Sequence, residues 1–377
     1  LSPDSATNAF SGDFVPHWIQ TPDALAAFFA TPPARIGLDT EFVRERTFWP
    51  QLALVQMAVG EEILLIDPLQ PGMPQALATI LGDIRILKVM HSASEDLVAL
   101  GYTCGAVPQP LFDTQIAAAL AGVAAGIGYQ KLVEQITGVA LAKGETRSDW
   151  LRRPLSESQL KYAADDVHYL FALHDDLTAR LQESGRSDWL VEDSRRLLEN
   201  ATQEEGDRWP HLAMRSAQFL DAPAQHRLLR LLRWRDAAAR RSDKPRSWIL
   251  DNEMAVALAR TPPADRAALG RWLDAQPKAP RKLADALWEA LSTPLSDEAE
   301  APLARAATDR DKAALRKLQD AVARRSAELG LPDGVLASRR YLEVLLESGQ
   351  WPGALSGWRR AELEPLLDGE TAATAAG

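Results

Sequence analysis

Cysteine is nearly missing from this chain. Cys104 stands alone among 377 residues, so no internal disulfide framework can form, and the sequence reads as one suited to a reducing, cytoplasmic setting. Six histidines without ligand-like spacing and a single thiol leave nothing from which to build a zinc site. Long apolar runs are missing as well. The most apolar stretch, Ile116–Gly128, is rich in Ala and Gly and falls short of the roughly 20 residues that cross a bilayer. It predicts a packed helix and no membrane partner. The opening LSPDSATNAF lacks a basic segment followed by an apolar one, so no secretory signal is expected. No glycine-lysine phosphate loop is present, which argues against helicase activity in this chain. Excess positive charge is also lacking: the net charge is −10.

That net value hides an asymmetry. Residues 1–205 hold 15 Lys and Arg against 28 Asp and Glu, whereas residues 211–285 hold 15 against 8. An acidic front lobe therefore precedes a basic one, a distribution that suits an acidic metal site joined to a polyanion-holding surface. Length and an apolar content of 46% allow two or three domains with a sizeable core.

Strand signals are confined to the first 110 or so residues. Arg35–Val43, Gln51–Val59 and Glu61–Asp67 read as closely spaced strands of a meander, with a tight turn at Gly60-Glu61. A helix near Met73–Leu81, a short strand over Arg85–Met90 and a helix from Ser94 follow. After Asp113 the pattern is helical almost throughout. Leu155–Gln182 reads as the longest helical stretch, opened by a capping box of Ser156 and Gln159. Two polar stretches, ATQEEGDRWP (201–210) and STPLSDEAEAP (292–302), read as linkers. The expected domains are 1–205, 206–295 and 300–377. The last two share a loose pattern, a Leu-rich basic helix followed by a turn and a short apolar helix, and read as a diverged duplication.

Three acidic clusters are the candidates for chemistry, although each taken alone also suits a solvated acidic face or helix start. In IGLDTEFV, side chains alternate faces, so Asp39 and Glu41 project together while Leu38 and Thr40 project oppositely. Flanking Ile36 and Leu38 make the strand look central, and adjacent carboxylates in such a place repel unless a cation lies between them. The second cluster, HSASEDL, puts Glu95 and Asp96 in a first helical turn, where acids also suit the helix dipole. In the third, QLKYAADDVHYL, Tyr162 and Asp166 are four apart and share a helix face, with Asp165 close by.

These clusters, in this order and of these types, resemble the DEDD exonuclease superfamily, and a tyrosine four residues before the last aspartate is the mark of its tyrosine subclass. The histidine subclass has a His five before that aspartate, where this chain has Lys161. The segments LDTEFVRERTFWPQLALVQMA, HSASEDL, LFDTQIAAAL and LAKGETRSDWLRRPLSESQLKYAADDVHYL resemble the bacterial ribonuclease D family over most of the front lobe. LLRWRDAAARRSDKPRSWILDNEMAVALA resembles the helical HRDC domain, and ASRRYLEVLL with GWRRAELEPLL resembles a weaker second copy. The likeness implies an α/β, ribonuclease H-like exonuclease domain, a mixed sheet flanked by helices, followed by two all-α HRDC-like bundles. It implies a 3′-to-5′ exoribonuclease that releases nucleoside monophosphates by two-metal hydrolysis. Asp39, Glu41, Asp96 and Asp166 would hold two cations, Mg²⁺ or Mn²⁺, and Tyr162 would orient the attacking water. The implied partner is RNA, tRNA precursors with 3′ extensions in particular, met by a monomer in the cytoplasm. A DNA 3′-5′ exonuclease and a non-catalytic RNA-binding scaffold are the alternatives.

Smaller readings stay open. Asp113 suits a helix N-cap. His91 suits either a satisfied core position or a substrate contact, and Phe48 and Trp49 either core packing or stacking on a base. Lys143 and Arg147 are candidate phosphate contacts. In the basic lobe Arg227, Arg230, Arg233, Arg235, Arg240, Arg241, Lys244 and Arg246 form a candidate nucleic-acid-binding group of sequence-independent, salt-sensitive character. Trp234, on the same Leu-rich helix, reads as core.

Overall fold

The computed structural model describes residues 15–142, 144–145, 148–203 and 206–374, the last helix with side chains to 366. The chain forms two compact units. One takes in the described chain to Val43, Leu52–Leu198 and Gly330–Val335; the other takes in Arg44–Gln51, Glu199–Leu329 and the chain from Leu336.

Every strand among the described residues belongs to one sheet. Along the chain run β1 (His17–Ile19), α1 (Pro22–Ala27), β2 (Arg35–Val43), β3 (Gln51–Val59) and β4 (Glu62–Ile66). Then come α2 (Met73–Leu81), β5 (Leu87–Met90), α3 (Ser94–Cys104), β6 (Leu111–Asp113) and α4 (Thr114–Leu120). The spatial order is β1-β4-β3-β2-β5-β6. β3 and β4 are antiparallel, and the pairs β1–β4, β2–β5 and β5–β6 are parallel, so the sheet is mixed. The expected bounds of β2, β3 and α2 match the observed ones. The short edge strands β1 and β6 escape the sequence reading: three residues are too few to show an alternation. β3 is buried over Leu52–Ala58, as a central strand covered on both faces must be. Gly37 lets a helix lie close on β2. A Cβ there would meet Ala58 Cβ at 3.1 Å and Leu170 Cδ1 at 3.2 Å, two residues before Asp39.

The remaining helices of this unit are α5 (Tyr129–Thr137), α6 (Glu157–His168), α7 (Leu170–Glu183) and α8 (Ser187–Thr202), the end of which passes into the second unit. The capping box forms as expected: Gln159 N–H donates to Ser156 Oγ at 3.2 Å, and Ser156 N–H to Gln159 Oε1 at 2.9 Å. The single long helix expected over Leu155–Gln182 does not form. It breaks at Tyr169, where φ is −96° and ψ is 0°. The cause is a side chain inserted into the helical ladder. The Tyr129 hydroxyl donates to the Asp165 carbonyl (3.0 Å) and accepts from Tyr169 N–H (3.2 Å), standing where those two groups would otherwise bond each other.

The second unit is helical: α9 (Ala222–Ser242), α10 (Arg246–Ile249), α11 (Asn252–Arg260), α12 (Arg266–Ala275), α13 (Ala284–Ser292), α14 (Asp309–Glu328), α15 (Arg339–Ser348) and α16 (Trp358–Thr374). α9 starts at Asp221, whose carboxylate accepts from Ala224 N–H, and buries Leu228, Leu231 and Leu232 in a core with Leu258, Leu269, Leu287 and Leu291. Trp234 packs against this core. The stretch 292–302 is less free than a linker. Its Glu298 pairs with Arg230 at 2.5 Å and its Asp297 with Arg233 at 2.8 Å. No helix among the described residues is long and apolar enough to cross a membrane.

Candidate active site

β2, α3 and α6 each deliver acids to one region of the first unit. Leu38 is wholly buried on β2 and Thr40 nearly so, while Asp39 and Glu41 are half-buried, in keeping with their shared face. Asp96, in the first turn of α3, is only 8% exposed. Asp166 lies on α6, one turn beyond Tyr162.

These four carboxylates feel one another. Burial raises Asp39 well above the ordinary range, and the charges of Asp96, Asp166 and Glu41 push it further. Burial, then Asp166 and Asp96, carry Glu41 to about 8. Burial takes Asp96 to about 7 against the opposing hydrogen bond from Thr40, whose hydroxyl donates to Asp96 Oδ1 at 2.5 Å. Asp166 also reaches about 7, through burial and the charge of Asp165, although the Tyr162 hydroxyl donates to it. Among the described residues no three His, Cys, Asp or Glu side chains stand in a ligating cluster. Carboxylate oxygens from one buried and three half-buried side chains fit a hard divalent cation and suit a soft one poorly.

Asp165 and Asp166 part company in their surroundings. Asp165 pairs with Lys161 at 3.0 Å, an ordinary i,i+4 surface bridge, whereas Asp166 sits in the field of Asp39 and Glu41. The Tyr162 phenol is raised above its usual value by burial and by the charges of Asp166, Glu41 and Asp39, so it keeps its proton. Its ring packs at 6.0 Å from that of Trp150, which is 2% exposed, and against the backbone of Gly144. Tyr162 and Asp166 line a cavity of about 180 Å³ with Gln130, Ala142 and Lys161.

Supporting residues were less visible in the sequence. Asp113 does cap α4, accepting from Gln115 N–H (2.8 Å) and Ile116 N–H (3.2 Å). Its carboxylate also accepts from Ser92 and Ala93 N–H, at the entry to α3. One aspartate thus ties the helix bearing Asp96 to β6. His91 bonds the Thr114 hydroxyl and the Ile127 carbonyl, and burial lowers its pKa, so it is a satisfied neutral core histidine. Tyr129 and Gly144 gave no sequence signal, because their roles depend on what they touch. Tyr129→Phe removes the hydroxyl that satisfies two backbone groups beside Asp166. A loss of ~1–3 kcal/mol of stability is expected, with kcat down about tenfold; an unchanged kcat in the destabilised variant would limit Tyr129 to stability.

The basic group of the second unit divides. Arg227 donates to the Ala259 carbonyl at 2.7 Å, and Arg230 and Arg233 are held by Glu298 and Asp297. Arg240 and Arg246 share Asp236 at 2.7 and 2.5 Å. Arg241 and Lys244 are exposed. Phe48 is 4% exposed and packs with Ala239 and Ile249, so it is core in this unit, with Trp49 packed beside it. Lys143 and Arg147 lie outside the described residues.

The sequence pattern of the 3′-5′ exonuclease family matches residues 16–182. Ribonuclease D of Xanthomonas oryzae pv. oryzae is 66% identical over 95% of this chain and the whole of its own length. The chain belongs to the ribonuclease D family. Ribonuclease D of Pseudomonas paraeruginosa is 39% identical over 88% of this chain and 90% of its own. The crystal structure of Escherichia coli RNase D, described as an exoribonuclease involved in structured RNA processing, superposes with a TM-score of 0.82 at 32% identity, covering 94% of this chain and 98% of that one. As a ribonuclease D, the chain is a metal-dependent 3′-to-5′ exoribonuclease, and its acidic clusters lie within or beside the elements that the exonuclease pattern spans.

Proposed function

We propose that Asp39, Glu41, Asp96 and Asp166 hold two divalent cations, Mg²⁺ or Mn²⁺, and that the protein trims RNA from its 3′ end one nucleoside monophosphate at a time. The observation that carries this reading is that Asp39 and Glu41 on β2 lie within the charge field of Asp96 on α3 and Asp166 on α6, with burial raising all four. Bound cations would supply positive charge for the phosphodiester and make a water molecule more acidic. In the hydrolysis an oxygen–phosphorus bond forms to water. The bond from phosphorus to the 3′-oxygen of the penultimate nucleotide breaks, and that oxygen takes up a proton. Tyr162, kept protonated and braced by Gly144 and Trp150, orients the water through its hydroxyl and is not the base. Thr40 positions Asp96, and Asp113 positions the helix that carries it.

Residues 206–295 and 300–377 are read as two HRDC-type bundles that hold the RNA backbone, with Arg241 and Lys244 offering their charge outward. The substrate class proposed is structured RNA with a 3′ extension, tRNA precursors above all, met by a cytoplasmic monomer. Incubation with matched RNA and DNA oligonucleotides and a 3′-extended tRNA precursor, with Mg²⁺ or Mn²⁺ and with EDTA, tests it. Stepwise release of ribonucleoside monophosphates that stops in EDTA is expected. Equal or faster cleavage of DNA would favour the DNA exonuclease reading, and unchanged cleavage in EDTA would remove the metals from the account.

A further inference from the structure

The second unit contains a cavity of about 670 Å³, lined by Arg44, Thr47, Phe48, Arg235, Arg246 and Ser247 among others. Three of these are guanidinium groups. Arg44 lies three residues beyond Glu41 in the chain. It is anchored by its Nε, which donates to the Phe48 carbonyl at 2.8 Å. The loop carrying it is fixed, because Asp243 accepts from Phe48 N–H and Trp49 N–H at 3.0 and 2.9 Å.

Arg235 is the unusual member. Its Nη1 donates to the Leu250 carbonyl (3.2 Å) and to Asn252 Oδ1 (2.7 Å), both neutral acceptors. Its Nε is buried without a hydrogen-bond partner. Among the described residues it pairs with no carboxylate, whereas Arg230, Arg233, Arg240 and Arg246 of the same basic group all do. Burial and the neighbouring Arg246 charge both lower its pKa, and Asp236 and Asp251 offset that only in part. A half-buried cation on the wall of a cavity, with neutral acceptors and one orphan donor, is better satisfied when an anion joins it. Glu45 and Asp251 also line the cavity, but the Asp251 carboxylate is occupied, accepting from Met254 N–H at 2.7 Å.

Beside it, in the same short helix α10 as Arg246 and Ser247, Trp248 is 57% exposed. A large aromatic left in water on the helix that carries Arg246 has the makings of a base-stacking surface. Phe48 cannot serve, being buried beneath the guanidinium groups of Arg240 and Arg246, at 5.2 and 4.7 Å from its centroid.

We propose that this cavity is a phosphate subsite for the RNA strand: Arg235 and Arg246 receive one internucleotide phosphodiester, and Trp248 stacks on a neighbouring base. The proposal rests on the RNA reading above and adds a place where the body of the strand is held. A phosphate would give the guanidinium of Arg235 the anionic partner it lacks, and stacking is indifferent to base identity, so the subsite grips without selecting sequence.

The test is equilibrium binding of a 5′-labelled 12-nucleotide single-stranded RNA to the full chain in EDTA, across a salt series. Arg235→Gln is expected to weaken binding about tenfold and to reduce the slope of log K against log salt by about 0.7, the value for one phosphate on a single strand. Ser247→Glu sets a negative charge at the rim from an exposed position and is expected to weaken binding comparably, which covers the case in which Arg235→Gln does not fold. Trp248→Ala is expected to weaken binding with the salt slope unchanged. Affinities within twofold of the parent for Ser247→Glu and Trp248→Ala would overturn the proposal. So would variants that lose affinity for adenosine monophosphate or inorganic phosphate but keep that for the 12-mer, because the cavity would then hold free product or a free ion. Binding is read without divalent ions, so an inactive parent enzyme would undermine the catalytic reading and leave this measurement standing.

Discussion

Asp166→Asn is expected to lower hydrolysis by about 10³-fold or more, which is ~4 kcal/mol of barrier, and at the same time to raise the melting temperature in EDTA. The two effects share one cause. A carboxylate that binds cations must stay ionised while buried beside others, and without cations that arrangement destabilises the fold. The carboxyl of Asp166 sits at about 7 in the folded chain, against about 3.9 for an unperturbed aspartate. The folded state therefore binds this proton more tightly than the unfolded state does. The stability that goes with the protonated form is complete below about pH 4 and is lost as pH rises through 7. Glu41 behaves likewise with its upper limit near 8. In EDTA, then, the melting temperature of the parent protein should fall between pH 4 and pH 8, and Asp166→Asn should flatten that fall. Adding Mg²⁺ should restore stability to the parent by binding the native state alone, and should do less for the variant. Asp165→Asn is the matched control: it breaks a surface bridge to Lys161, worth ~0–1 kcal/mol, and should leave turnover within about threefold. Equal losses in the two variants would remove Asp166 from its assigned role.

Gly144→Ala should cost about 10²-fold in kcat although it adds one methyl group. An added Cβ would lie 1.9 Å from Cδ2 and 2.5 Å from Cε2 of Tyr162, distances that no pair of carbons tolerates. The tyrosine ring or the loop must move, and the ring is also packed beside the buried Trp150. Because Ala142 and Gly144 are exposed, the melting temperature should drop by only a few degrees. The decisive measurement is a double-mutant cycle in kcat. If the damage runs through the Tyr162 hydroxyl, Gly144→Ala should cost little in a Tyr162→Phe background. An undiminished cost there would place the effect in the loop instead.

How much of this was legible beforehand depended on how local each signal was. The strand holding Asp39 and Glu41 was readable with its ends, because a period of two in a nine-residue strand is unambiguous. The Tyr162–Asp166 spacing was readable because one helical turn places them on one face. The break at Tyr169 was not: residues 155–182 carry a continuous helical pattern, and the hydroxyl that interrupts it comes from Tyr129, 40 positions away. The eight basic residues from Arg227 to Arg246 read as one surface group because composition counts charges and cannot see partners. Glu298 and Asp297, more than 60 residues downstream, engage Arg230 and Arg233, while Arg235, in the middle of the run, meets only neutral acceptors.

The linear chain by itself pointed to the class of chemistry, because its three acidic clusters, in that order and with a tyrosine at that spacing, resemble a known exonuclease family. It also settled where strands stop and helices take over, because hydrophobic periodicity is a property of neighbours. Tertiary structure alone decided which carboxylate of the Asp165–Asp166 pair faces the other acids, which glycine braces the tyrosine, and which arginine keeps a donor to spare. Those outcomes depend on desolvation and pairing between residues far apart in sequence, and such energies exist only once the chain has brought the groups within a few ångströms of one another.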